Sequence, residues 1–246
     1  MSELTENIKS EKINLQLKKK VKTINPIKLV KPIEPNDYIM VIDVETNGFP
    51  DKIDTYSYYN YMLTEKYDNS RIVQISWGLY NNLGYIVKLE DHIIKPNGFT
   101  INNSTYHKIT NEIANEKGCD IKVVFKKLLV DLKKTSVIVG HNLMFDENII
   151  LSELYRTKFK LTIEEFKKKP KHCTCIGTID LLKIELGNKK YKMPSLDELY
   201  YWCFKEHIEN AHNSKYDVIN TANCYFYIRS NKWRAIPNNN VKDIAK

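Results

Sequence analysis

From residue 38 onward the chain alternates dense apolar runs with longer mixed stretches. "YIMVIDVET" (38–46), "RIVQISWGL" (71–79) and "GYIVKLEDHII" (84–94) have the length and β-branched content of strands. "YNNLG" (80–84) makes a good turn between the last two. "CDIKVVFKKLLVDLKK" (119–134) repeats its apolar residues at helical spacing. "SVIVG" (136–140) reads as a short buried strand, and "NLMFDENIILSELYR" (142–156) as a helix. Thr162 with Glu165, and Ser195 with Glu198, fit capping boxes that open two further helices. "SKYDVINTANCYFYIR" (214–229) closes the pattern. Three strands in antiparallel succession, then helices alternating with a strand, predict a mixed sheet with helices on its faces.

Outside this core the pattern fades. Residues 1–36 are basic, poor in aromatics and broken by Pro26, Pro32 and Pro35, and we expect a disordered tail there. Its "KKKVK" (18–22) fits a nuclear address, a nucleic-acid arm or a solvated run. Residues 231–246 read as a second, C-terminal tail, which leaves 37–230 as the folded domain. "FPDKIDTYSYYNYMLTEKYDNS" (49–70) is too long for a hairpin. Its tyrosines suit either a substrate-facing loop or packing over a hydrophobic underside.

Composition changes the picture little. The formal net charge is +8, half of it in residues 1–36, which hold eight Lys and four Glu. A polyanionic partner fits this balance, and so does a lysine-rich solvated surface. Five cysteines at irregular spacing suit a reducing compartment, so we expect a cytoplasmic protein, or a nuclear one in a eukaryotic or viral setting. No apolar run approaches the length of a membrane span. His172, Cys173, Cys175, Cys203 and His207 lack the spacing of a zinc knuckle, and the cysteines read as structural or free thiols.

The first run holds a puzzle. Asp43 and Glu45, two apart on a strand, project to the same side, and two such charges repel unless a proton or a cation neutralises them. A hard divalent ion prefers such oxygen ligands, while a sheet edge touching solvent would also tolerate them. "VIVGHNLMFDENII" adds Asp146 and Glu147 in the first turns of a helix, with Asn142 as its cap or as part of a site. "AHNSKYDVINTANCYF" adds His212 and Asp217, where Ser214 and Asp217 also fit a capping box.

Taken in order, "DVETNG", "HNLMFD" and "HNSKYD" resemble the three motifs of the DnaQ-like 3′–5′ exonucleases with the DEDDh site. "IIKPNGFTINNSTYHKITNEIANEKG" (93–118), with its His-x-Ile-Thr element, and "RIVQISW", "TIDLLK" and "PSLDELY" extend the resemblance over about residues 37–230. It implies a ribonuclease H-like α/β fold, with a mixed five-stranded sheet of three antiparallel strands and parallel additions. It implies Asp43, Glu45, Asp146 and Asp217 as ligands of two Mg²⁺ ions, replaceable by Mn²⁺, with His212 as general base. Thr46, Asn47, Asn142, Phe145 and, more weakly, His107 would hold the terminal nucleotide. Two positions depart from the family: Asn47, commonly threonine, and Ser214, commonly a small residue such as alanine. The implied substrate is nucleic acid with a free 3′ end, DNA favoured over RNA. A polymerase or other replication or repair protein is the implied protein partner. A binding module without turnover has no need of four acids and a histidine together.

Overall fold

The computed structural model describes residues 37–55, 57–187 and 190–231. The expected N-terminal tail and residues 232–246 lie outside the described residues. The strands are β1 (Tyr38–Thr46), β2 (Lys52–Asp54), β3 (Ser57–Tyr58), β4 (Ile72–Tyr80), β5 (Ile86–Ile93), β6 (Thr135–Gly140) and β7 (Lys171–Cys173). Five of them form one sheet in the order β5-β4-β1-β6-β7. The β1–β4 and β4–β5 pairs are antiparallel, and the β1–β6 and β6–β7 pairs are parallel. This is the mixed five-stranded sheet expected of a ribonuclease H-like fold. The fifth strand, β7, is three residues long and carries no period of its own, which is why the hydrophobic pattern did not reveal it.

The helices are α1 (Asn111–Lys117), α2 (Ile121–Leu132), α3 (Leu143–Arg156), α4 (Lys160–Lys168), α5 (Thr174–Gly177), α6 (Ile179–Leu182), α7 (Leu196–Phe204) and α8 (Ser214–Asn231). The last runs one residue into the segment expected to be a C-terminal tail. Side-chain alternation along β1 divides them into two layers. Met40, Ile42 and Val44 pack with Val124, Phe125 and Leu128 of α2, Ile150 and Leu154 of α3, and Phe166 of α4. Ile39 and Val41 face the other way, onto Val218 and Ala222 of α8. Asp43 and Glu45 continue this second row. The central strand thus carries its acids on the α8 side, at the end where the apolar layer stops.

Several helix starts follow from local chemistry. Ser195 and Glu198 form the expected capping box of α7. Thr110 caps α1 by accepting from the Ile113 N–H, and Asp120 caps α2 by accepting from the Lys122 N–H. The box expected from Thr162 and Glu165 does not form. Helix α4 begins at Lys160, so Thr162 lies inside it, fully buried, and its hydroxyl finds no partner among the described residues. Tertiary burial of Ile163 and Phe166 sets that helix start, overriding the capping signal. The Tyr-rich connection folds into the β2–β3 ribbon and a 3₁₀ turn over Thr64–Ser70. Tyr67 is buried there beneath α3, with its hydroxyl donating to the Tyr59 carbonyl, so part of this loop packs.

Candidate active site

Strand parity and the start of α8 bring the first acids together. A carboxylate oxygen from each of Asp43, Glu45 and Asp217 lies within 4.8 Å of the others. Burial holds all three carboxyls above their usual range, and repulsion adds to it at Asp43 and Glu45. For Asp43 the causes are desolvation, then the charges of Asp146, Asp217 and Glu45. Glu45 is pushed up to about 8 by desolvation and Asp217. Asp217 rises to about 6 through desolvation, which the backbone N–H groups of His212 and Asn213 partly offset. Three crowded oxygens whose charges resist one another make a donor set suited to a hard divalent cation. The set fits the ions that the sequence motifs imply.

Asp146 stands slightly apart. Pairing of β1 with β6 ends at Val41, which leaves the outer part of β1 without a strand on that side. Asp146, at 2% exposure in the first turn of α3, reaches this gap, and its Oδ1 accepts the Val44 N–H at 3.0 Å. Its own pKa is raised by burial, with Val44 acting against the rise. The carboxylate therefore serves as the backbone partner that β6 no longer supplies, while its charge still reaches Asp43.

The start of α8 is pinned from below. Ser76, opposite Asp43 on β4, lies 2.7 Å from the Ser214 hydroxyl and donates to Asp91 Oδ1 at 2.9 Å. Since the Ser76 hydroxyl proton goes to Asp91, its oxygen accepts from Ser214, and the chain runs from Ser214 to Ser76 to Asp91. Gln74, opposite Glu45, donates to the same Asp91 oxygen at 2.7 Å and lies 3.5 Å from the Asn213 side-chain oxygen. Departure from the family at Ser214 thus has a structural partner. The α8 turn that carries Asp217 is fixed to the sheet by hydroxyls where alanine would offer only contact.

Asn47 is the second departure, and its side chain is committed to the protein. Its Oδ1 accepts the N–H groups of Asn102 and Asn103, at 2.7 and 3.4 Å, tying that loop to the end of β1. Thr46 turns its hydroxyl to the Gly48 carbonyl at 2.7 Å. Gly48 itself has no room for a side chain: a Cβ would stand 2.9 Å from the Asn69 carbonyl oxygen. Asn142 occupies the cap position of α3 but in the left-handed region, at φ 59°, and its side chain makes no capping bond. The expectation of an asparagine cap is therefore corrected, because that backbone conformation turns the side chain away from the first amides. His141 is held neutral instead, pushed down to about 4 by burial, between Thr174 Oγ1 and the Pro194 carbonyl, each at 3.0 Å.

Two hollows meet at the acids. The larger, about 690 Å³, includes Asp43, Asn142, Lys192, Asp217 and His212 in its lining. The smaller, about 270 Å³, is bounded by Glu45, Thr46, Phe49, Tyr106, Phe145 and His212, with His107 also at its wall. His212 borders both, exposed and in the left-handed region at φ 64°. Phe49 and Phe145 meet edge to face at 6.1 Å, with Phe49 71% exposed at the mouth. His107 is buried, and its Nδ1 accepts the Ile109 N–H at 3.1 Å. Sequence reasoning missed Phe49 and Tyr106. Phe49 directly follows the first motif, but nothing local marks Tyr106. Lys192 also reaches the larger hollow, paired with Glu198 at 2.6 Å. The cysteines and histidines considered for zinc do not gather: Cys173 pairs with Cys175, Cys203 with Cys224, and His207 with Asp197.

The fold has counterparts among solved structures. Crystal structures of E. coli exonuclease I, including a zinc-bound complex with single-stranded DNA, superpose with a TM-score of 0.60 at 16% identity over 81% of this chain. An exonuclease I from Methylocaldum szegediense gives 0.60 at 17% identity over 80%. The chain spans about 42% of the length of the first and 41% of the second. At such identity these likenesses concern the fold. No curated protein sequence matches the chain. A family model described as RNase_T, Exonuclease, matches residues 40–225, which include all four acids and His212. The chain belongs to this exonuclease family, as its DnaQ-like motifs led us to expect.

Proposed function

We propose that the protein is a divalent-metal-dependent 3′–5′ exonuclease that removes nucleoside 5′-monophosphates from single-stranded or frayed DNA. The observation that carries this reading is the meeting of Asp43, Glu45 and Asp217 within 4.8 Å, on the hollow that His212 borders. Asp43, Glu45 and Asp217, with Asp146 beside them, would hold Mg²⁺ or Mn²⁺ ions. When bound, such ions lower the pKa of water and neutralise charge on the attacking and leaving oxygens of a phosphodiester. His212, reaching over the acids from the loop before α8, takes the proton of the attacking water. Its exposure lets it pass that proton to solvent. The smaller hollow takes the terminal nucleoside, with its base against Phe145 and Phe49. Asn142 borders the larger hollow, where the scissile phosphate and the preceding nucleotide would lie. Stacking and phosphate contacts of this kind carry little sequence preference. Single-stranded DNA in the similar exonuclease I structures supports DNA as the substrate.

The test uses 5′-labelled DNA and RNA of one sequence, with Mg²⁺, Mn²⁺ or EDTA. We expect a ladder shortening from the 3′ end of DNA, present only with metal and abolished by Asp43→Ala. His212→Ala should lower turnover by about a hundredfold or more while binding persists. Preferential shortening of RNA would reassign the substrate. Turnover in EDTA, or an unimpaired Asp43→Ala variant, would end the proposal.

A further inference from the structure

His212 is weakly held for a residue on which proton transfer would turn. Its backbone is left-handed at φ 64°, its side chain is exposed, and its imidazole makes no hydrogen bond among the described residues. A histidine base is usually oriented by a carboxylate or carbonyl at its second nitrogen. Here its ring meets Tyr106 instead, with centroids 5.3 Å apart and planes at 61°, the edge-on geometry that aromatic quadrupoles favour.

Burial does not explain where Tyr106 stands, since it is 61% exposed. The turn beneath it does. Asn47 holds the backbone at Asn102 and Asn103, the Lys108 N–H returns to the Ser104 carbonyl at 2.9 Å, and His107 is buried directly after the tyrosine. An exposed ring on an anchored turn therefore faces the loop histidine, and the anchor, Asn47, directly follows the strand that carries Asp43 and Glu45. The departure at Asn47 becomes part of one bracket, from the acids through the 102–107 segment to the imidazole.

We propose that Tyr106 is a positioning residue for His212, restricting its ring to orientations that face the acids. This rests on the reading of His212 as the base. A ring that swings freely into solvent spends less time within reach of the water proton, so Tyr106 acts on turnover more than on substrate affinity. No hydrogen bond joins the Tyr106 hydroxyl to His212 among the described residues, so the ring carries the contact.

The experiment is a double-mutant cycle on 5′-labelled single-stranded DNA, with kcat and KM determined separately and folding checked by thermal unfolding. Tyr106→Ala should lower kcat about tenfold with a smaller rise in KM, since the ring also borders the smaller hollow, and Tyr106→Phe, which keeps the ring, should recover the lost turnover. In a His212→Ala background, Tyr106→Ala should cost nothing further. An equal loss in both backgrounds, or a rise in KM alone, would show that Tyr106 acts on the substrate and would overturn the proposal. Failure of Tyr106→Phe to preserve turnover would overturn it as well. If His212→Ala alone leaves turnover intact, the base assignment falls first, an outcome separable from the others.

Discussion

Replacing Glu45 with Gln removes one charge from a cluster that folding has crowded together. The Glu45 carboxyl moves from 4.5 to about 8 through burial and the charge of Asp217. Between those values the folded chain holds a proton that the unfolded chain has released, so stability of the metal-free protein falls as pH rises through this window. At pH 7 the mismatch from 4.5 corresponds to about 3 kcal/mol. Coulomb's law gives a similar figure: two unit charges within 4.8 Å, at an effective dielectric near 20, repel by about 3 kcal/mol. Glu45 is partly exposed and solvent screens part of this, so the measurable gain is about 1–3 kcal/mol. Glutamine cannot ionise and escapes the cost. Urea unfolding in EDTA at pH 7–8 should therefore find Glu45→Gln more stable than wild type, and the difference should vanish below about pH 4.5. Mn²⁺ or Mg²⁺ should then stabilise wild type more than the variant, reversing the order by mass action. A variant no more stable than wild type at pH 8 in EDTA would refute the claim that the acids are held together against their repulsion.

Other consequences can be measured on the same preparation. Ser214→Ala breaks the Ser214–Ser76 bond and should cost about 1 kcal/mol in thermal unfolding, with a severalfold loss of activity as the Asp217 turn loosens. Asp131→Ala strands the buried Trp77 indole N–H, while the Lys88 ammonium keeps Glu90 at 2.9 Å, and should cost about 1–3 kcal/mol in urea. Ser195→Ala removes one half of the α7 capping box and should lower stability by about 1 kcal/mol, while Ser195→Asp should restore most of it.

What could be read from the chain and what could not divide along range of interaction. The run 38–46 announced a core strand because its apolar density needs no partner to be recognised, and parity alone put Asp43 and Glu45 on one side. Their meeting with Asp217 could be stated only through motif resemblance, because nothing local links residues so far apart in the chain. Ser195–Glu198 and Thr162–Glu165 look alike in sequence. One caps a helix and the other does not, because burial of Ile163 and Phe166 draws α4 back by three residues. The roles of Asn47 and Ser214 depend on the loop at 102–103 and on Ser76, contacts that exist only once the sheet and α8 have assembled.

The bond from the Val44 amide to Asp146 bears on how a loss of activity at residue 146 is to be understood. Truncation to alanine deletes a charge and also strands a buried amide in the central strand, so a dead variant would conflate electrostatics with scaffolding. Asparagine keeps a carbonyl oxygen for that amide and gives up only the charge. The pair of substitutions separates the two duties that one aspartate performs.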